Sequence, residues 1–370
     1  MQNNAIIEEF IELTSINSPS RGERRMADIL KKKLTEIGCD VYEDDTAGKI
    51  GGTAGNVIGI LRGKVGKPVI LAAHMDRVAN GDNIRHVVTN EKITSDGTTI
   101  LAADDVSGIV SILEGLRRIK ESGEEHCNVE VVFTVCEEDS IKGSEFLNYD
   151  LLTAKHCYCL DSPGRIGRII NAAPYKVKLF INVYGKTAHA GQAPEKGINA
   201  LKIAAKVLSD IEEGRIDSET TANWALITAG KTTNVVCDYV RIGGEARSHN
   251  PNKLGQYISY VKQHCEEVIS GTGAKFEVQT EFCFEGFEIP EEDDLIVTLK
   301  DVLSDIGIDA YVQGGGGGMD ANRFNSKGIK SIGVATGYLN NHSTYEEIYI
   351  NDLIKAGEMV AGLIRYYSRK

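Results

Sequence analysis

Along the chain the apolar positions change their period twice. Ile6, Ile7, Phe10 and Ile11, then Met26, Ile29, Leu30, Leu34 and Ile37, recur at helical spacing and predict two amphipathic helices, the second stopped by Gly38. Short apolar runs at 56–61 and 68–73 predict strands, the second leading into His74-Met75-Asp76. In the segment SDGTTILAADDVSG (95–108), Asp104 and Asp105 open a helix whose Val106, Ile109, Val110, Leu113 and Leu116 form one apolar face. Next, 129–135 is a β-branched apolar run with Glu130 as its one charge, the pattern of a strand buried on both faces. That strand ends in two adjacent carboxylates, Glu137 and Glu138. A further short strand, 156–160, ends in Asp161. Strand and helix alternate throughout, which predicts an α/β domain: a mixed, mostly parallel sheet covered by helices.

At about Pro174 the period becomes two. Val177, Leu179, Ile181 and Val183 alternate with mainly polar residues, the signature of a half-exposed antiparallel strand. A helix at 198–211, strands near 224–228 and 234–247, a helix started by Asn250-Pro251 and a strand at 275–284 complete a small α+β domain. The acidic stretch EIPEEDD (288–294) reads as a linker back to the first domain. The chain then closes with a helix, five glycines (314–318), a strand at 331–334, the segment YLNNHSTYEE and a helix from Asp352. The glycines lack the lysine and spacing of a phosphate loop and read as a tight backbone turn at a site. The expected organisation is a domain formed by 1–173 and 288–370, with 174–287 inserted.

Composition narrows the partners. With 370 residues, 42% hydrophobic and 25% charged, the chain reads as a folded protein of two domains. A net charge of −12 argues against nucleic acid or an anionic membrane surface, since both require a basic face. No signal peptide or membrane span is apparent. The eight cysteines are scattered without CxxC pairs, which points to reduced core thiols and a cytoplasmic location.

The chemistry gathers at predicted strand ends, where open α/β sheets place their sites: His74, Asp76, Asp104, Glu137, Glu138, Asp161 and His342. Two histidines with several carboxylates suit zinc, cobalt or manganese, and a carboxylate can bridge two ions ~3.5–4 Å apart. Singly each residue has a plainer explanation: a helix cap for Asp104-Asp105, a solvated loop for Glu137-Glu138, a surface histidine for His342. In combination and order, HMD, DGTTILAADD, FTVCEE, the Asp after a short strand, GKTAHAG, GGGGGMDAN and NNHSTYE resemble the M20 metallopeptidases, in their peptidase T-like (tripeptidase) branch. The resemblance covers almost the whole chain and implies a zinc exopeptidase-like catalytic domain with an inserted lid, or dimerisation, domain.

The same resemblance implies roles. His74 and Asp161 would hold one ion, Glu138 and His342 the other, with Asp104 bridging. Asp76 would hydrogen-bond the distal nitrogen of His74, and Glu137 would be the general base. His189 corresponds to an oxyanion donor, Arg247 to a lid arginine gripping a substrate carboxylate, and Asn234 joins the substrate contacts. The implied cofactors are two divalent ions, most simply zinc, with cobalt or manganese as alternatives. The implied partners are a short peptide and a second copy of the chain, paired through the lid so that His189 works in the partner's site. The strand 176–184 and the helix 198–211, read as exposed-edge elements of the lid, are the expected contacts.

Three positions depart from the family pattern: Arg77 after HxD, Val106 after the two aspartates, and Ser140 at the first glycine of EExGxxG. Arg77 either selects an acidic substrate or pairs with a local acid, and the second is preferred. The leading reading is hydrolysis of short peptides with release of the N-terminal residue of tripeptides. Behind it stand an N-acyl amino acid deacylase or glutamate-type carboxypeptidase, and more remotely a non-catalytic, metal-stabilised binding protein. A phosphoesterase would need more cationic residues than the site offers.

Overall fold

The computed structural model describes residues 2–370. Contacts divide the chain into two compact units, Met1–Ala173 with Glu288–Lys370, and Pro174–Phe287. Among the described residues no helix is long and apolar enough to cross a membrane, and no disulfide joins the cysteines.

The larger unit is built on an eight-stranded mixed sheet. In spatial order its strands are Asp40–Glu43, Val57–Leu61, Val129–Thr134, Val69–His74, His156–Ser162, Lys330–Ala335, Arg168–Ile170 and Tyr311–Gln313. The middle four run parallel to one another, whereas Val57–Leu61 and Arg168–Ile170 join them antiparallel. Every residue of Val69–His74 and Val129–Thr134 is buried, as their unbroken apolar character requires. The exception in charge, Glu130, is buried with its carboxylate accepting the amides of Thr153 and Ala154 and the Thr153 hydroxyl. A buried carboxylate is tolerated on that condition.

Helix Ala103–Ser122 packs against the sheet and against Ile350–Ser368. The two aspartates do not open it as regular helix. Asp104 has ψ 106° and Asp105 φ −116°, and the peptide between them is cis. Asp105 takes the capping task instead, accepting the Gly108 amide at 3.2 Å and the His74 amide at 3.1 Å. The five glycines also differ from expectation. None is among the positive-φ glycines of the described residues, and a Cβ at Gly316 or Gly317 would meet nothing within 4 Å.

The smaller unit is a five-stranded antiparallel sheet, in order Gly214–Arg215, Thr220–Ala229, Tyr239–Ser248, Tyr175–Tyr184 and Lys275–Phe284. Helices Ala200–Asp210 and Pro251–Ile269 bury Ala204, Val207, Leu254 and Val261 against Val177, Leu179, Ile181 and Val183. Asn250 caps the second helix, its side chain accepting the Asn252 and Lys253 amides ahead of Pro251. Two expectations are corrected. The alternating strand 176–184 is no edge, because it is hydrogen-bonded on both sides along its length. Residues 234–238 fall outside the strand assigned to them; Asn234 and Val236 pair instead with 188–190.

Candidate metal centre

Parallel strands end on one side of a sheet, so their terminal side chains are brought together without any help from loops. His74 is the last residue of its strand and stands in register with Thr134, three residues before Glu137. On the other flank Ala72 registers with Cys159, so Asp161 lies two residues farther on, level with His74. The turn after Lys330–Ala335 brings Asn341 and His342 to the same place.

Asp104 sits at the centre. One of its oxygens, Oδ1, lies 3.0 Å from His74 Nε2, and the other, Oδ2, lies 3.3 Å from His342 Nε2. Asp161 Oδ1 is 3.8 Å from His74 Nε2, and Glu138 Oε1 is 2.8 Å from His342 Nε2. These atoms form two ligand triplets, His74–Asp104–Asp161 and Asp104–Glu138–His342, each with its atoms within 4.8 Å of one another and sharing Asp104. One carboxylate facing two histidines, each backed by a further carboxylate, fits two divalent cations as a donor set.

Asp76 lies against the distal nitrogen of His74, as expected, and does more besides. His74 Nδ1 is nearest the Asp76 main-chain carbonyl, at 3.0 Å, with the carboxylate at 3.4 Å. The carboxylate is engaged by the Glu137 amide at 2.9 Å, the Glu138 amide at 3.2 Å and the Ser20 hydroxyl at 2.6 Å. It therefore anchors the turn that carries both glutamates. Asn56 supports that turn from behind, accepting the Val135 amide and donating to the Gly143 carbonyl. The turn is also strained: Cys136, Ser140 and Ile141 have φ of 54°, 64° and 60°, and His342 has 61°. Ser140, at the first glycine position of the EExGxxG pattern, thus occupies the conformation a glycine would adopt freely.

The concentrated charge and burial shift the groups of the two triplets and Glu137. Burial lifts Asp161 to about 8, reinforced by the neighbouring carboxylates against the pull of His74. Burial likewise raises Glu138, and with the charge of Asp161 holds Glu137 well above the carboxylate range. Asp104 is low, because His342 and His74 outweigh its burial. Hydrogen bonds to Asp104 and Glu138 raise His342 to about 10. Carboxylates pushed up and histidines kept charged are what such a cluster does when protons stand in for cations.

Arg77 is buried and donates to the carbonyls of Leu13, Thr14 and Gly81, closing the end of helix Gln2–Thr14. It binds main chain, correcting the expected pairing with an acid. Val106 is buried in the helix. His189, Asn234 and Arg247 belong to the smaller unit. There His189 and Asn234 are exposed and adjacent, joined through the Ala190 amide and the Asn234 carbonyl at 3.0 Å. Arg247 donates to Glu245 at 2.8 Å.

Sequence reasoning missed the supporting residues. Glu346, 1% exposed, accepts three main-chain amides beside Asp104 and is raised to about 7 by burial. Asp320, also buried, accepts the hydroxyls of Thr134 and Ser144. Their only signal was a carboxylate within a motif already assigned to something else.

Two family models match the chain: the M20 peptidase dimerisation domain over residues 172–272, and peptidase family M28 over residues 56–192. Over 360 residues the chain is 40% identical to an uncharacterized protein, YqjE, of Bacillus subtilis, covering 97% of each. Among solved structures, an aminopeptidase PepT from Bacillus cereus is 37% identical with a TM-score of 0.88, covering 100% of this chain and 99% of that one. A tripeptidase from Staphylococcus aureus is 33% identical with a TM-score of 0.93, with the same coverage.

Proposed function

Because the chain belongs to the peptidase T-like branch of the M20 family and is a metallopeptidase, we propose that it is an exopeptidase that releases the N-terminal residue of tripeptides. The observation that carries this is the placement of one carboxylate, Asp104, with an oxygen toward each of two histidines. In this reading His74 and Asp161 hold one divalent ion, Glu138 and His342 the second, and Asp104 both. Zinc is the natural occupant, cobalt or manganese the alternatives. Bound there, such ions supply Lewis acidity, lowering the pKa of a water and polarising an amide carbonyl.

The chain's own residues do the rest. Glu137 accepts the proton of the attacking water and returns it to the departing amine. Its turn is held by Asp76 and Asn56, which fixes the carboxylate where the proton is moved. His189 donates to the oxyanion of the tetrahedral intermediate. Arg247 grips the substrate's terminal carboxylate, a match for a forked guanidinium, and Asn234, adjacent to His189, joins the substrate contacts. The smaller unit, which matches a dimerisation domain, pairs two copies so that His189 serves the partner's site. The reduced cysteines and acidic charge accord with a cytoplasmic enzyme.

The test is a panel of di-, tri-, N-blocked and N-acyl peptides with zinc, cobalt or manganese, read by amine release. Cleavage of free tripeptides, with loss of activity when the α-amine is blocked, is the expected result. Preference for N-acyl substrates would replace this reading with deacylation.

A further inference from the structure

The two ligand-bearing segments that meet at the centre come from the two separate stretches of chain that form the larger unit. Asp104 follows a turn at 100–103, whereas His342 lies in a loop some 240 residues later. The side chain of Glu346 ties them together. Glu346 Oε2 accepts the amides of Leu101 and Ala102, both at 2.8 Å, and Oε1 accepts the amide of Asp104 at 3.0 Å. Ala102 has φ 59°, so the turn Glu346 grips is one the backbone does not adopt readily. Four residues before Glu346, His342 stands at φ 61°, and between them the Glu346 amide donates to the Ser343 carbonyl at 3.2 Å. Asn341 adds a second tie between the same segments, donating to Asp104 Oδ2 at 2.6 Å. By contrast, His74 and Asp161 sit at the ends of adjacent parallel strands, whose register brings them level.

From this asymmetry we propose that Glu346 is a positioning residue for one half of the centre: it sets the distance between Asp104 and His342, and so the affinity of the Asp104–Glu138–His342 site. The proposal rests on the two-ion reading above. Its physical basis is that three converging amides require a charged acceptor with two oxygens. An amide in its place turns one of those acceptors into a donor facing an N–H. The segment carrying His342 is then released from Asp104, while His74 and Asp161 keep their strand positions and their site is affected only through the Asp104 it shares.

The test is a metal titration of the metal-free protein, by calorimetry and by the visible spectrum of cobalt, on wild type, Glu346→Gln and Asp161→Asn. Asp161→Asn identifies which of two binding steps belongs to the His342 side, as the step that survives it. Glu346→Gln should weaken that step about 10–100-fold, the usual cost of losing a residue that orients a ligand, and weaken the other step, which shares Asp104, by clearly less. Equal weakening of both steps would mean a general structural role and overturn the proposal, as would no change in either. Glu346→Asp, one methylene shorter, provides a second variant that keeps the charge; it should weaken the same step less than Glu346→Gln, and an undiminished step in a folded Asp variant would count against the geometry. Wild type binding fewer than two ions would overturn the two-ion reading and this proposal with it; two ions in wild type with no selective loss in the variants would overturn this proposal alone.

Discussion

Glu137 and His342 stand within the same cluster, yet their substitutions should separate cleanly. Glu137→Gln removes a proton acceptor that belongs to neither ligand triplet, so turnover should fall by at least about 100-fold with two ions still bound. His342→Ala removes an imidazole whose Nε2 faces Asp104 and Glu138, so elemental analysis should find an ion missing. Retention of more than about a tenth of the activity in the first, or full metal content in the second, would contradict the assigned roles. At this scale the candidate ligands were legible from residue type and position. Their supporting partners were not: nothing in the sequence says that Asp76 holds the Glu137 and Glu138 amides, or that Arg77 closes a helix, because both depend on segments remote in the chain.

Among the elements, strands were the easier to read, since burial on both faces forces an unbroken apolar run. Turns were harder. The turn from Cys136 to Gly143 holds three positive-φ residues, and its last glycine lies under the carbonyl of Val135, where a Cβ would be only 1.8 Å from the oxygen. Gly143→Ala should therefore cost about 1–3 kcal/mol of stability, with the larger unit's melting temperature reduced accordingly. An unchanged transition by calorimetry would show that the turn can shift at no cost. In the smaller unit the period-two pattern correctly marks the strand at 175–184 but cannot say that it is interior. An edge strand and a central one with one solvated face carry the same alternation, and only the pairing on both sides distinguishes them. The open edges are instead Lys275–Phe284 and Thr220–Ala229 beyond Ala222, where Leu226 and Ile227 are 68% and 52% exposed.

For the molecule as a whole, metal removal should reverse the usual pH response. In the metal-free protein burial raises Asp161 to about 8, so folding favours its protonated form. That stabilisation is complete below the unfolded carboxylate value of about 4 and is lost as the pH rises through the folded value. His342, raised to about 10 by Asp104 and Glu138, has the same sign, its contribution fading above about 6.5. Asp104 acts oppositely, but below the window of interest. Chelator-treated protein should thus melt at a higher temperature near pH 5 than near pH 8, with zinc restoring stability at the higher pH; a metal-free melting temperature that rises over that span would refute this. Assembly has its own test. Mixing Glu137→Ala with His189→Ala after dissociation makes half the dimers mixed, each with one intact site if His189 acts across the interface. Recovery near about a quarter of wild-type activity is expected. An inactive mixture would place His189 in its own chain's site.

Composition and period alone determined that this chain forms a helix-covered sheet with an α+β insertion, because burial imposes its pattern residue by residue along the chain. They also marked strand ends as the place for chemistry, since side chains there leave the sheet toward solvent. What required the folded structure was every relation between distant segments. Asp104 has two oxygens, and only the arrival of His74 from one strand and His342 from another gives each oxygen a separate partner. Glu346 reads in the sequence as one more acid, and becomes a clamp only when the turn at 101–104 presents it with three amides. Such contacts leave no local trace, because a hydrogen bond between residues 240 positions apart constrains their types and not the pattern around them.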